Sequence, residues 1–490
     1  MAMNESFNDL SKWRKKALMG GGEKRVIVHR NKGKLSVRER LHELLDQESF
    51  MEIQPFAKGH RSEHVGDGVV IGTGLIHERP VCVYAQDATV YGGSLGEMHA
   101  KKIASLMDLA AQNQMPIIGL KDSGGARIQE GVVSLEGYGQ IFKRNVLYSG
   151  QIPQISVILG SCAGGAVYSP ALTDFVLMTE QTAHMFLTGP KVIEKATGET
   201  VCPDRLGGAS VQHQTSGNVH YTGKDEKDVL QAVRTLLTYI PTKQQTAIHA
   251  TKASKHDAID PGTILPKDPS RTYDVKQVVK AITDHGSFFE TQPCFSKNIV
   301  TGFGRLKGSS VGFVANQPKV LAGSLDLDAA DKAARFIRFC DAFHIPILTL
   351  VDVPGFLPGE KAEHAGIIRH GAKLLYAYAE ATVPKITVIL RKAFGGAYVA
   401  MNSKGLGADF VYAWPDSEID VMGKTFADEI VHPASREFDM EPNVVKAAQL
   451  GLIDDILTPS ETRERLIRSF DLLRSKKEDR PLKKHGNMPL

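Results

Sequence analysis

The sequence predicts an α/β protein made of two tandem homologous domains. Three observations carry this. First, the chain repeats itself. Gly72, Gly74, Gly93-Ser94-Leu95, Pro116 and Asp122 return as Gly302, Gly304, Gly323-Ser324-Leu325, Pro346 and Asp352, at one constant spacing. A spacing held over so many anchors marks an internal duplication. Second, short β-rich runs alternate with helical patterns, which points to parallel α/β layers. Third, each copy places a Gly-Gly-Ala turn after an apolar strand, at Gly164-Gly165-Ala166 and at Gly395-Gly396-Ala397.

Taken in order, residues 1 to about 45 read as an N-terminal arm. Ser36 is placed to cap a helix whose body is Arg38 to Leu45. Val69-Val70-Ile71-Gly72 and Val81-Cys82-Val83-Tyr84 read as strands. Met98 to Gln112 has apolar residues at helical spacing, with Pro116 shortly beyond. Met115 to Leu120 and Ile155 to Leu159 read as buried strands, followed by Asp122-Ser123-Gly124-Gly125 and Ser161-Cys162-Ala163-Gly164. Proline and polar filler from Pro241 to Arg271 suggest the interdomain connection, dividing the chain into domains 1–255 and 256–490. Ser287-Phe288-Phe289-Glu290 echoes Ser49-Phe50-Met51-Glu52, so the second copy repeats even the opening strand. A helical region from Glu441 to Lys476 and a charged tail follow.

Composition narrows the function. The chain has 490 residues, 42% hydrophobic and 23% charged, as ordinary globular proteins do. Its apolar runs are too short to cross a bilayer, and the Lys-rich start lacks an apolar signal core, so a cytoplasmic protein without membrane insertion is expected. The net charge of +4 does not call for nucleic acid. Basic residues gather in Lys12–Arg30 and Arg474–Lys484, which solvated tails or anion binding would explain. Five scattered cysteines without a Cys-x-x-Cys pair suit neither a zinc ribbon nor a disulfide framework. His364 and His370 are six apart and do not share a helix face as paired metal ligands would.

Both glycine turns fall at strand-to-helix junctions. Glycine lets another group approach the backbone, and the first helical turn leaves N–H groups without internal partners. Such donors favour an anionic oxygen, the geometry of an oxyanion hole. The neighbouring strand ends, Asp122 to Ala126 and Asp352 to Phe356, could supply a second backbone donor each. The competing reading, that these glycines only permit tight helix packing, is weakened by their duplication at matched positions. No P-loop, dinucleotide fingerprint or nucleophile elbow is present. Cys162 reads as a small packing residue. Few acids or bases stand at the turns, which suits chemistry done by backbone polarisation.

Four segments carry a family resemblance: Asp122-Ser-Gly-Gly-Ala-Arg-Ile-Gln-Glu-Gly131, Ser161-Cys-Ala-Gly-Gly-Ala-Val-Tyr-Ser-Pro170, Val351-Asp-Val-Pro-Gly-Phe356 and Arg391-Lys-Ala-Phe-Gly-Gly-Ala-Tyr398. The chain resembles the carboxyltransferase subunit of biotin-dependent acyl-CoA carboxylases. It is most like the propionyl-CoA carboxylase β and methylmalonyl-CoA decarboxylase α types, from about Ser36 to Lys477.

The resemblance implies two crotonase-like (ClpP/crotonase) domains, the first for acyl-CoA and the second for biotin. It implies that Ala126, Gly164 and Gly165 hold the thioester oxygen as an enolate forms, with Gly125 and Ala166 beside the substrate. Gly395, Gly396 and Ala397 would hold the biotin ureido oxygen, with Gly355, Phe356 and Tyr398 lining that pocket. The implied reaction moves a carboxyl group from carboxybiotin to the α-carbon of a short-chain acyl-CoA. The alternative is a decarboxylase subunit running the reverse reaction. Val399 stands where propionyl-selective members carry Asp and acetyl-selective members an aliphatic residue, so activity on both acetyl- and propionyl-CoA is expected. No Met-Lys-Met biotinylation site is present, which puts biotin on a separate carrier. Partner biotin carboxylase and biotin carrier subunits and a homo-hexamer of this chain complete what the resemblance implies.

Overall fold

The computed structural model describes residues 2–60, 62–241, 259–423 and 443–489, with the backbone alone for 2–8. The described chain forms two compact units, Met1–Thr238 and Tyr239–Leu490. The boundary expected at 255/256 lies outside the described residues, as does most of the proline-rich connection.

The first unit holds one eight-stranded sheet. Its strands are β1 (Met51–Ile53), β2 (Val69–Ile76), β3 (Arg79–Gln86), β4 (Ile117–Ser123), β5 (Gln154–Ala163), β6 (Phe175–Thr179), β7 (His184–Phe186) and β8 (Tyr221–Gly223). The order is β1-β2-β3-β4-β5-β6-β8, with β7 beside the far end of β5. β1 to β3 are antiparallel, and from β3 onward the pairing is parallel. The central strands β4 and β5 are buried along nearly their whole length, as the inner strands of parallel sheets are. The helix Glu97–Gln112 packs its buried stripe, including Ile103, Leu106 and Met107, on this core.

The second unit repeats the plan. Strands β9 (Phe289–Thr291), β10 (Ile299–Leu306), β11 (Ser309–Asn316), β12 (Ile347–Val353), β13 (Lys385–Phe394), β14 (Phe410–Ala413), β15 (Glu418–Asp420) and β16 (Asp455–Ile456) follow the order of the first sheet. Register repeats too: Glu52 pairs with Gly72, and Glu290 with Gly302. The echoed opening strand is therefore the same edge strand in both copies.

Three expectations are corrected. The strand expected to end at Leu159 runs to Ala163, because its last three residues pair with β7, a partner remote in sequence. The C-terminal region is not one helix. It is Asn443–Gln449, then β16, then Thr462–Leu472, interrupted where Gly451 turns at φ +70° and Asp455-Ile456 joins β14. The arm carries more structure than one helix: α1 (Ala2–Leu18) and α2 (Glu23–Arg30) precede α3 (Val37–Leu44). The Ser36 cap is present as a full capping box with Glu39. Among the described residues no helix is long and apolar enough to cross a membrane.

Candidate active site

In each unit the site lies at the C-terminal end of the parallel strands, where β4 and β5, or β12 and β13, shift register. This is where ligands bind open α/β sheets. β5 pairs with β6 over Ile155–Ile158 and then with β7 over Ser161–Ala163, and β13 divides in the same way. The splayed strand end presents the glycine turn.

Ala126 forms an isolated parallel bridge with Leu95. The Leu95 N–H donates to Gly125 O (2.9 Å) and the Arg127 N–H to Leu95 O (2.9 Å). A parallel bridge of this form engages the neighbours of Ala126 and turns its own N–H the other way. Phe356 repeats the geometry: Leu325 N–H donates to Gly355 O (3.1 Å) and Leu357 N–H to Leu325 O (2.7 Å). Gly125 has φ +103°, and a Cβ there would stand 2.9 Å from Ala163 O, so glycine is needed for both torsion and close approach. That approach sets the Ala126 turn against the residue preceding Gly164.

Gly164 (φ +60°) and Gly395 (φ +59°) turn the chain from strand into helix in both copies. Gly164–Val167 is a single 3-10 turn and Gly395–Ala400 a short helix; their opening N–H groups lack helical acceptors. The two turns differ in what backs them. A Cβ on Gly165 would meet the Tyr138 ring at 3.1 Å, whereas one on Gly396 meets nothing within 4 Å. Ala166 and Ala397 are buried beneath their turns. Tyr398 is half-buried, its phenol pushed up by burial, and Val399 is exposed on the helix face.

A carboxylate stands beside each turn, and sequence reasoning missed its role. Asp122 is buried and meets Lys34 Nζ (3.1 Å) and Arg40 Nη2 (3.1 Å), with His29 Nε2 at 3.9 Å. Arg40 also binds Glu226 on the helix Glu226–Leu237, at 2.6 and 2.8 Å. Burial pushes the Asp122 carboxyl up, but the Arg40 and Lys34 charges outweigh it and hold the group below the usual range. Asp352 takes its charge from its neighbouring strand: Arg391 Nε lies at 3.0 Å and the Lys392 N–H donates at 3.2 Å. Burial dominates there, and Asp352 is raised. The signal was available, since Asp122 and Asp352 are anchors of the repeat.

Arg127 fixes the Ala126 turn. It is buried, donates to Asp67 Oδ1 (2.9 Å), Glu130 Oε1 (2.7 Å) and Ser94 O (3.1 Å), and lies 4.8 Å from the Tyr91 ring centroid. Cys162 is buried, its thiol pushed up to about 12 by burial, as expected of a packing residue. His370 pairs with Asp331, and His364 is exposed beside Glu360. No group of metal-ligating side chains occurs among the described residues.

With this geometry in place, the relationships of the chain decide the family. Residues 28–488 match the carboxyl transferase domain. This chain belongs to the carboxyl transferase family. It is 50% identical over 517 residues to the propionyl-CoA carboxylase carboxyltransferase subunit of Haloferax mediterranei, covering all of both chains. It is 48% identical over 518 residues to the methylmalonyl-CoA decarboxylase subunit alpha of Propionigenium modestum, covering 99% of each. The transcarboxylase 12S crystal structure, a hexamer with methylmalonyl-coenzyme A bound, superposes with TM-score 0.95 at 45% identity, covering 100% of this chain and 99% of that one. The chain is therefore a carboxyltransferase with two crotonase-like α/β domains, of the propionyl-CoA carboxylase and transcarboxylase type.

Proposed function

We propose that this carboxyltransferase moves a carboxyl group from biotin on a separate carrier protein to the α-carbon of acetyl- or propionyl-CoA. The observation that carries the reading is a turn repeated in each half: the Ala126 N–H stands outside its bridge where Gly125 closes on Ala163, just before Gly164-Gly165, and Phe356 repeats that bridge at the end of β12, next to the strand that leads into Gly395-Gly396.

In the first half, the Ala126 N–H and the Gly164 and Gly165 N–H groups donate to the thioester oxygen. Negative charge grows there as the α-carbon loses its proton, so these bonds strengthen toward the enolate, and each is worth about 10²–10³ in rate. The second half fits a neutral ring bearing a carbonyl. Its turn offers N–H donors at Gly395, Gly396 and Ala397, the Gly396 face is open, and Arg391 is already bound to Asp352. Bound there, carboxybiotin would supply carbon dioxide and then a basic ureido nitrogen. Gly355 and Phe356 would line that pocket, and Tyr398 and Val399 follow the turn on the same short helix.

The transcarboxylase 12S hexamer supports a homo-hexamer for this chain, and the family supports separate biotin carboxylase and biotin carrier subunits. The relative named for decarboxylation is nearly as similar as the one named for carboxylation, which favours a site able to run both ways. The test is carboxyl transfer from malonyl-CoA and methylmalonyl-CoA to free biotin, read as release of acetyl- or propionyl-CoA. Biotin-dependent release supports the reading; release without biotin, or none, overturns it.

A further inference from the structure

The first glycine turn rests on an aromatic ring that the second lacks. Tyr138 lies on the helix Val132–Leu147 and is buried. A Cβ on Gly165 would stand 3.1, 3.3 and 3.4 Å from three atoms of its ring. The preceding residue brings the helix in close: a Cβ on Gly137 would stand 2.6 Å from the Ala100 Cβ. Phe142, one turn further along, stacks on Tyr138 at 5.7 Å, and Tyr168 meets Phe142 edge-on at 6.1 Å. Tyr168 directly follows the turn Gly164–Val167, so the column of rings starts and ends on the segment that carries the donors. The same side chain also reaches toward Ala126. Its hydroxyl is buried without a hydrogen bond of good geometry, and Ser123 is close enough to act on it. Ser123 Oγ accepts from the Gly125 N–H (3.2 Å), next to Ala126.

The second half is backed differently. On its helix Ile367–Glu380 the buried residues Ile367, Gly371, Leu374 and Tyr378 match Ser134, Tyr138, Ile141 and Asn145 at one constant spacing. Glycine therefore stands where the first half has Tyr138, and Val353 stands where it has Ser123. The Phe356 ring takes the space instead, since a Cβ on Gly371 would stand 3.1 Å from it. The Gly396 turn is left open behind.

We propose that Tyr138 is a positioning residue of the first half, its ring fixing the Gly164 and Gly165 donors at the separation from Ala126 that an enolate oxygen needs. The inference rests on the enolate reading of that half. Donors stabilise developing charge most when they are held in place before it forms. A four-residue 3-10 turn whose opening N–H groups lack helical acceptors has little of its own to hold it. A planar ring packed beneath Gly165, and itself stacked on Phe142, supplies that rigidity without touching the reacting atoms.

The test compares wild type, Tyr138→Leu, Tyr138→Phe and Ile141→Ala in the full chain. Two readouts are taken: biotin-dependent decarboxylation of methylmalonyl-CoA, and amide hydrogen exchange of the segment 159–168. Ile141 is buried on the same helix and controls for lost core packing. Tyr138→Leu should lower kcat about 10–100-fold while KM for methylmalonyl-CoA stays within about threefold, because a displaced donor is felt most in the transition state. Exchange at Gly164–Ala166 should rise with it. Tyr138→Phe keeps the ring and should restore both readouts. Ile141→Ala should lower the melting temperature and leave both unchanged. Tyr138→Met, which fills the space without a planar ring, replaces Tyr138→Leu if that variant does not fold, with the same result expected. Wild-type kcat and exchange without the ring, or an equal loss of kcat in Ile141→Ala, overturns the proposal. Absence of biotin-dependent release in wild type would sink the proposed reaction, and exchange at the turn would still decide the role of Tyr138.

Discussion

Gly160 and Arg391 occupy matched positions on β5 and β13, and the space one leaves is the space the other fills. A Cβ on Gly160 would stand 1.9 Å from Asp122 Oδ1 and 2.4 Å from Lys34 Nζ. In the second half Arg391 uses that position to bind Asp352 directly. Duplication kept the carboxylate and exchanged the source of its counter-charge. In the first half the missing side chain admits Lys34 and so ties the arm to the site.

Gly160→Ser should displace Lys34 from Asp122 and cost about 1–3 kcal/mol, as overpacking does. Thermal melting should show the loss, and limited proteolysis should show earlier cleavage around residues 19–34. Arg391→Gly should also destabilise, by about 3 kcal/mol, because it takes the ion-pair partner from the buried Asp352 and leaves it only the Lys392 N–H and its neighbours.

The two turns should respond differently to a methyl group. Gly165→Ala drives a Cβ to 3.1 Å from Tyr138, whereas Gly396→Ala meets open space. Melting temperatures should fall for the first, by about 1 kcal/mol or more in stability, and stay within about 0.5 kcal/mol for the second.

Arg127 holds the Ala126 turn through Asp67, which is fully buried. Arg127→Leu leaves that carboxylate unpaired and should cost about 3–5 kcal/mol. Leucine is the residue at the matched position, Leu357, where the second half needs no such clamp. Urea unfolding of Arg127→Leu and Arg127→Leu/Asp67→Asn checks the cause: the double variant should recover part of the loss.

The carboxylates should also differ in pH dependence. Asp122 is held below its ordinary value, so the unfolded chain binds its proton first as pH falls. Its stabilisation is complete above about pH 3.9 and is lost as pH falls through the folded value. Asp352 is raised by burial, so its contribution falls as pH rises from about 3.9 through the folded value. Acid titration of stability should therefore become shallower below about pH 4 in Asp122→Asn. Asp352→Asn should instead remove a decline above that pH.

Much of this was legible in the sequence because its signals are local. The Ser36 cap and the two glycine turns depend on neighbours in the chain, and the repeat is a direct match of residue to residue. The extension of β5 to Ala163 was not legible, since it depends on β7. Nor was the Asp122 cluster, which gathers His29, Lys34 and Arg40 from the arm and Glu226 from a helix some hundred residues beyond Asp122. Lys102 and Lys332 illustrate the same limit. Both look like surface residues of an amphipathic helix, yet each turns inward to donate to backbone carbonyls, Lys102 to Gly66 and Val69, Lys332 to Gln292, Phe295 and Ile299. Burial pushes Lys332 down to about 7 and Lys102 to about 8.

The division of labour between the halves is tested most directly by Gly396→Val, assayed for biotin-dependent decarboxylation of methylmalonyl-CoA and for coenzyme A binding in the same preparation. The added Cβ stands over the second turn with no atom within 4 Å of it. Coenzyme A should bind as in wild type, while biotin-dependent turnover should fall about 10²–10³-fold. Turnover close to wild type, or loss of coenzyme A binding with biotin use retained, would contradict the assignment of the two halves.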